Sequence, residues 1–168
     1  DVVLLDISEE ALAKGLGVIE KNLNRQVQKG KLSEADKAAT LSRIKTSTDY
    51  AAFGESDLVI EAATEDEQVK RKIFAQLCPV LKPEAYIASN TSSISITRLG
   101  AATDRPGKFM GMHFMNPVPV MQLVELIRGI ATDQDTWDTL HDVVRKLGKT
   151  AASAEDFPAF IVNRILMP

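Results

Sequence analysis

The chain has 168 residues, near the size of one ordinary domain, and its 45% of hydrophobic residues suffice for a proper core, which excludes disorder. A net charge of −3, with Lys and Arg scattered rather than striped, offers no basic field and argues against a nucleic-acid partner. No apolar run nears the roughly 20 residues of a membrane span, and the lone cysteine, Cys78, lacks a partner for an internal disulfide, which fits a reducing compartment.

Residues 1–7 read as a short buried strand whose apolar run ends in Asp6, followed at once by the helix-start signal Ser8-Glu9-Glu10. Leu12, Leu16, Ile19, Leu23 and Val27 recur at three and four residues and predict a helix over 8–28, broken by Lys29-Gly30-Lys31. Ser33-Glu34-Ala35-Asp36 signals a second helix to about Ile44, and the two are expected to form a hairpin that projects from the domain.

A short extended piece follows at 46–49, and the continuous apolar centre of DLVIEAA marks 57–63 as a buried strand. Val69, Ile73, Phe74 and Leu77 share one face of a helix over 66–81, with Pro83 preventing its continuation. Cys78, in QLCPVL, is read as a small apolar side chain at that helix's end. Beyond it come a strand at 86–89, a small helix at 95–102 and strands at 109–114 and 123–127. A helix at 133–147 ended by Gly148, a last strand at 150–153 and a helix starting at Phe160 complete the chain. Alternating strands and helices imply an α/β fold, Rossmann-like and doubly wound, with a largely parallel sheet and helices on both faces.

Four clusters can carry chemistry, each near the carboxyl end of an expected strand, where open parallel sheets bind ligands. A carboxylate such as Asp6, leaving a strand into a helix, accepts hydrogen bonds from a ribose diol and repels a 2′-phosphate, which favours NAD over NADP; the plain alternative is a helix cap or a solvated acid. EAATED supplies Glu61 and Glu65, with Lys70 on the next helix, where the residues alone favour an ordinary surface pair of Glu65 and Lys70. SNTSSISI offers Ser89, Asn90, Thr91, Ser92 and Ser93, which can bond a cofactor or substrate oxygen but also make turns and caps.

The fourth, HFMNPVPVMQLVELI, holds His113, Asn116 and a carboxylate, Glu125, committed to apolar surroundings, so that it needs a partner. His113 on a neighbouring strand can be that partner, with the carboxylate fixing the imidazole's tautomer. An imidazole that titrates at about pH 6.5 when unperturbed suits taking a proton from an alcohol while something else takes a hydride; the bland reading is a structural histidine. His141, on a polar helix face, is read as solvated. No metal site is expected.

VVLLDIS, DLVIEAATE, IASNTSSISIT, GMHFMNPVPVMQLVELI and FIVNRILMP span the chain in order. On these stretches it resembles the NAD-binding domain of 3-hydroxyacyl-CoA dehydrogenases, particularly the short bacterial 3-hydroxybutyryl-CoA dehydrogenases. The resemblance implies that residues 1–158 are a truncated NAD-binding Rossmann domain and that 159–168 begin the connection to an absent C-terminal helical domain. The glycine fingerprint of a dinucleotide fold belongs roughly 20 residues before Asp6, whereas Gly15 and Gly17 lie after it and inside a helix, so the chain is expected to start at the second strand.

By the same resemblance the cofactor is NAD, contacted by Asp6, Ala62, Glu65, Lys70, Ser92 and Asn116. His113 would be the catalytic base, oriented by Glu125, and Ser92 and Asn163 would hydrogen-bond the substrate's 3-oxygen. The hairpin would hold the CoA portion on the face carrying Asn22 and Lys29, where a lysine suits a phosphate. The implied reaction is reversible oxidation of an (S)-3-hydroxyacyl-CoA, of the 3-hydroxybutyryl-CoA class, to the 3-ketoacyl-CoA, as in fatty acid β-oxidation. The implied partners are an acyl-CoA substrate and a second copy, joined through the absent domain, with neither nucleic acid nor membrane. The implied location is the bacterial cytoplasm, or the mitochondrial matrix in a eukaryote.

Two residues depart from the family's habit. Ala159 stands where Pro-Gly-Phe is usual, which strains the turn if that position needs a positive φ, and Met115 stands where Phe is common. A second hypothesis is a folded fragment or a crystallin-like structural relative without activity, and retention of His113, Glu125, Ser92, Asn116 and Asn163 together argues against a relative released from catalysis. Dehydrogenation of a sugar acid such as gulonate is disfavoured by the SNTSSISIT and HFMNPVPVMQLVELI matches.

Overall fold

The computed structural model describes residues 1–166; Met167 and Pro168, the end of the FIVNRILMP stretch, lie outside the described residues. The chain forms two compact units, Asp1–Gly54 and a second beginning at Glu55.

In the first unit, β1 (Val2–Leu5) leads through Asp6 into α1 (Glu9–Gln28). Ser8 is extended and its hydroxyl accepts the Ala11 N–H at 3.1 Å, satisfying one of the donors that a helix start leaves open, and Glu9 and Glu10 suit the positive end of the helix. Gly30, at φ +66°, ends the helix, with its N–H on the Val27 carbonyl and the Lys31 N–H on that of Gln26. Ser33 caps α2 (Glu34–Ser42), which stops short of the expected Ile44 because that residue already begins β2 (Ile44–Ser47). α1 and α2 pack together as the expected hairpin. β1 and β2 pair in parallel, from Val2 opposite Ile44 to Leu5 opposite Ser47.

The second unit contains β3 (Leu58–Glu61), α3 (Glu67–Leu77), β4 (Tyr86–Ser89), α4 (Ile96–Gly100), β5 (Phe109–Phe114) and β6 (Leu123–Arg128). α5 (Gln134–Lys146), β7 (Thr150–Glu155) and α6 (Val162–Leu166) follow. Its sheet runs β3-β4-β5-β6-β7 and is parallel except between β5 and β6. The short connection from Phe114 to Leu123 cannot make the crossover that a parallel neighbour requires. α3 ends at Leu77 rather than near 81, because Pro79 lacks the N–H that would continue the ladder, and Cys78–Val80 tighten into a 3-10 turn. Cys78 is buried at this helix end, and its burial pushes the thiol up.

The α/β character, the largely parallel sheet and the flanking helices are as expected. The strands form a two-stranded sheet, β1-β2, in the first unit and a five-stranded sheet, β3-β4-β5-β6-β7, in the second. An apolar run marks a buried strand but carries no signal for its neighbour, so this pairing lay beyond the pattern.

Side chains alternate along strands, and the second unit fills both faces. On one, Ala88, Met110, Met112, Val124 and Leu126 pack under Leu140 and Val144 of α5. On the other, Phe74 of α3 meets Phe109 edge-on at 5.3 Å. Ile96 of α4 rests on the backbone of Gly111, where a Cβ would lie 2.9 Å from Ile96 Cδ1 and from Ile127 Cβ. The period of two therefore puts His113 and Glu125 on the α3/α4 face. Asp156, just after β7, fixes α4 by accepting from the Ser95 hydroxyl at 2.7 Å and from the N–H groups of Ile96 and Thr97 at 2.9 and 2.8 Å.

His141 is not merely solvated: it stacks on Trp137, with ring centroids 4.9 Å apart. Among the described residues no helix is long and apolar enough to cross a membrane.

Candidate active site

His113 and Glu125 are register partners on antiparallel β5 and β6, with Nδ1 and Oε2 2.7 Å apart. Glu125 is fully buried, and its other oxygen accepts the N–H groups of Ile161 and Val162 at 3.0 and 2.8 Å. Charge-assisted bonds from an imidazole and two amides are what a buried carboxylate requires. Because Nδ1 faces the carboxylate, Nε2 is the nitrogen left for exchanging a proton with a substrate. Phe160 packs edge-on to the imidazole at 6.2 Å and is itself buried. Both Ala159 and Phe160 adopt positive φ, 67° and 48°, which turns the chain so that the two following amides reach Glu125.

Asn163, in α6, donates from Nδ2 to the Ser92 carbonyl at 2.9 Å, bringing the 161–163 segment against the turn that leaves β4. That turn is pinned by Glu65. One oxygen, Oε1, accepts the Thr91 hydroxyl at 2.7 Å, the Ser92 and Ser93 N–H groups at 2.9 Å each, and the Ser93 hydroxyl at 2.9 Å. Burial works against ionisation of Glu65, but these donors together outweigh it and hold the carboxyl below its usual range. Among the described residues no donor reaches its second oxygen.

Beneath this turn lies a buried ion pair. Lys70 is 1% exposed, and its ammonium meets both oxygens of Glu61 at 2.8 Å. Glu61 also accepts the Ser89 hydroxyl at 2.6 Å and the Ala63 N–H at 2.7 Å. The alternative Glu65–Lys70 surface pair is thus not formed: Lys70 turns inward to Glu61. The apolar run of β3 ending in an acid was a signal that Glu61, like Glu125, would need a cation or several donors.

Ala62 is exposed in the turn after β3, Ser92 and Asn163 are half-buried, and Asn116 is exposed beyond β5. In the first unit, Asp6 is exposed and accepts the Ile7 N–H at 2.7 Å, while Ser8 and not Asp6 caps α1. Asn22 is half-buried on α1, and Lys29 is exposed at its C-terminal cap. The described residues contain no cluster of three or more His, Cys, Asp or Glu side chains able to hold a metal ion.

Residues 1–157 match the 3-hydroxyacyl-CoA dehydrogenase, NAD binding domain. The chain belongs to that family. It is 60% identical over all 168 residues to a 3-hydroxybutyryl-CoA dehydrogenase of Bradyrhizobium diazoefficiens, of which it covers 57%. It is 42% identical over 167 residues to the fatty acid oxidation complex subunit alpha of Psychrobacter cryohalolentis, of which it covers 23%. The crystal structure of (S)-3-hydroxybutyryl-CoA dehydrogenase PaaH1 from Ralstonia eutropha superimposes with a TM-score of 0.96 at 49% identity, covering 99% of this chain and 59% of that one. The chain therefore spans a little over half the length of its dehydrogenase relatives.

NAD is the family's cofactor, and the residues present fit it. Glu65 offers an ionised carboxylate on an exposed edge, and the small residues Ala62, Ala63 and Thr64 leave the turn beside it open.

Proposed function

We propose that the protein carrying this chain is an NAD-dependent (S)-3-hydroxyacyl-CoA dehydrogenase acting on short substrates of the 3-hydroxybutyryl-CoA class, in bacterial fatty acid oxidation. The observation that carries the reading is the buried His113–Glu125 pair. An imidazole locked at Nδ1 by a carboxylate presents a single nitrogen in a fixed direction, as a general base requires.

NAD, when bound, supplies the hydride acceptor. His113 Nε2 takes the hydroxyl proton of the substrate and returns it in the reverse direction. Glu125 stabilises the imidazolium that exists on the ketone side. The Ser92 hydroxyl and the Asn163 amide flank the substrate oxygen, with Asn163 held by the Ser92 carbonyl. Ala62, Glu65, Ser92 and Asn116 face the cofactor, and Asp6 accepts from its adenosine ribose. Lys70 serves this set indirectly, since its ammonium neutralises Glu61 beneath the turn. Asn22 and Lys29 contact the CoA portion. The working protein, on this reading, is a homodimer of the cytoplasm.

The test is to mix the protein with acetoacetyl-CoA and NADH and follow the loss of the reduced nicotinamide's absorbance. Turnover that depends on both is expected; no oxidation above the protein-free rate would support a folded relative without activity.

A further inference from the structure

Asn90 stands where the sheet runs out of strand beside the candidate base. The parallel register between β4 and β5 ends at Ser89 opposite Gly111, yet β5 continues to Phe114. The Phe114 N–H lies past the end of β4, with no strand residue to receive it, and an unmet amide beside a buried site is costly. The Asn90 side chain fills the gap: its Oδ1 accepts the Phe114 N–H at 2.8 Å. Its own backbone is anchored in the opposite direction, with its N–H on the Glu61 carbonyl at 2.7 Å. Asn90 thereby ties the end of β3, whose Glu61 side chain is locked by Lys70, to the end of β5.

The peptide that Asn90 holds is the one joining His113 to Phe114. Glu125 fixes the imidazole ring at Nδ1. His113 is thus restrained from two directions, at its ring by Glu125 and at its main chain by Asn90. A ring held only at Nδ1 can pivot about that bond as its backbone shifts, carrying Nε2 away from the substrate.

We propose that Asn90 is a positioning residue for His113, acting as a surrogate strand carbonyl that fixes the peptide after the base and so the direction of Nε2. The inference rests on the reading of His113 as the base. It uses the acceptor oxygen of Asn90 and makes no demand on its NH₂, so aspartate substitutes and alanine does not.

The test compares the wild-type protein with Asn90→Asp and Asn90→Ala by nuclear magnetic resonance and kinetics. The chain has two histidines, so His141 serves as the internal control for His113. The Phe114 amide should be protected from hydrogen exchange in the wild type and Asn90→Asp, and should exchange at least about tenfold faster in Asn90→Ala. The His113 ring signals should shift and broaden in Asn90→Ala while those of His141 stay in place. The kcat for acetoacetyl-CoA reduction should fall about 10- to 100-fold in Asn90→Ala, the cost expected of a base displaced by an ångström or less. The KM for NADH should stay within about twofold, and Asn90→Asp should recover most of the rate.

Superimposable His113 signals in the wild type and Asn90→Ala would overturn the proposal. So would a wild-type Phe114 amide that exchanges without protection, a measurement that needs no variant to fold. A His113 signal that responds to Asn90→Ala in a protein that does not reduce acetoacetyl-CoA would support the positioning role while contradicting the dehydrogenase reading, so the two failures are distinct.

Discussion

His113 and Glu125 face each other directly across the antiparallel β5–β6 ladder, Nδ1 to Oε2 at 2.7 Å, and the same carboxylate receives the amides of Ile161 and Val162. One buried side chain therefore serves both the imidazole and the turn into α6. Removing it as Glu125→Ala strands the buried imidazole donor and the partly buried amides of Ile161 and Val162. A buried unmet donor costs about 1–3 kcal/mol and the two partly buried amides cost less, so the loss should be at least about 1–3 kcal/mol. Glu125→Gln keeps acceptor capacity and should cost less stability while still slowing turnover, because a neutral amide stabilises the imidazolium less. Denaturant midpoints and kcat for the two variants check this: equal stability losses would show that the shared acceptor is not what matters.

The Glu61–Lys70 pair yields a second prediction. Lys70→Met leaves Glu61 as an uncompensated buried charge, and breaking a pair of this kind from one side costs about 3–5 kcal/mol. Adding Glu61→Gln to Lys70→Met removes the orphaned charge and should restore much of that loss. Thermal unfolding of the two proteins measures the difference; a double variant no more stable than Lys70→Met alone would contradict it.

Glu65 gives a pH dependence with a defined sign. Its folded carboxyl titrates below the ordinary value of 4.5, so its contribution is fully present above that pH and is lost as pH falls toward the lower folded value. The stability gap between the wild type and Glu65→Gln should be constant near neutrality and close only below about pH 4.5. Urea melts across pH 3 to 7 check this, and a gap that widened on acidification would show the opposite sign.

How much of this could be read in the residues depends on the range of each interaction. β4 and β5 carry the bounds that their apolar runs announced, and Ser8 and Ser33 cap the helices they signalled, because runs and caps are local. The His113–Glu125 pair was legible because an acid in an apolar strand must find a partner. The same logic applied to Glu61, but Lys70 looked like a surface residue: a long aliphatic stem lets an ammonium reach an interior acid from a helix. Asp156 capping α4, Asn90 receiving the Phe114 amide and His141 stacking on Trp137 arise from folded proximity, and no local pattern marks the first two.

Ala159 tests the strain anticipated from its sequence neighbours. At φ +67° a Cβ is unfavourable by about 1–2 kcal/mol, of which the greater freedom of glycine in the unfolded chain takes back about half. Ala159→Gly should therefore stabilise the protein by about 0.5–1 kcal/mol, a rise of a few degrees in Tm. Calorimetry that found Ala159→Gly less stable would show that this backbone is not strained.

The base itself is open to the most direct measurement. In the acetoacetyl-CoA and NADH assay, His113→Ala should lower kcat by about 10²–10⁴-fold, the usual worth of a positioned general acid–base group. His141→Ala, outside the site, should leave kcat unchanged. A His113→Ala protein that turned over at the wild-type rate would contradict the assignment of His113 as the base.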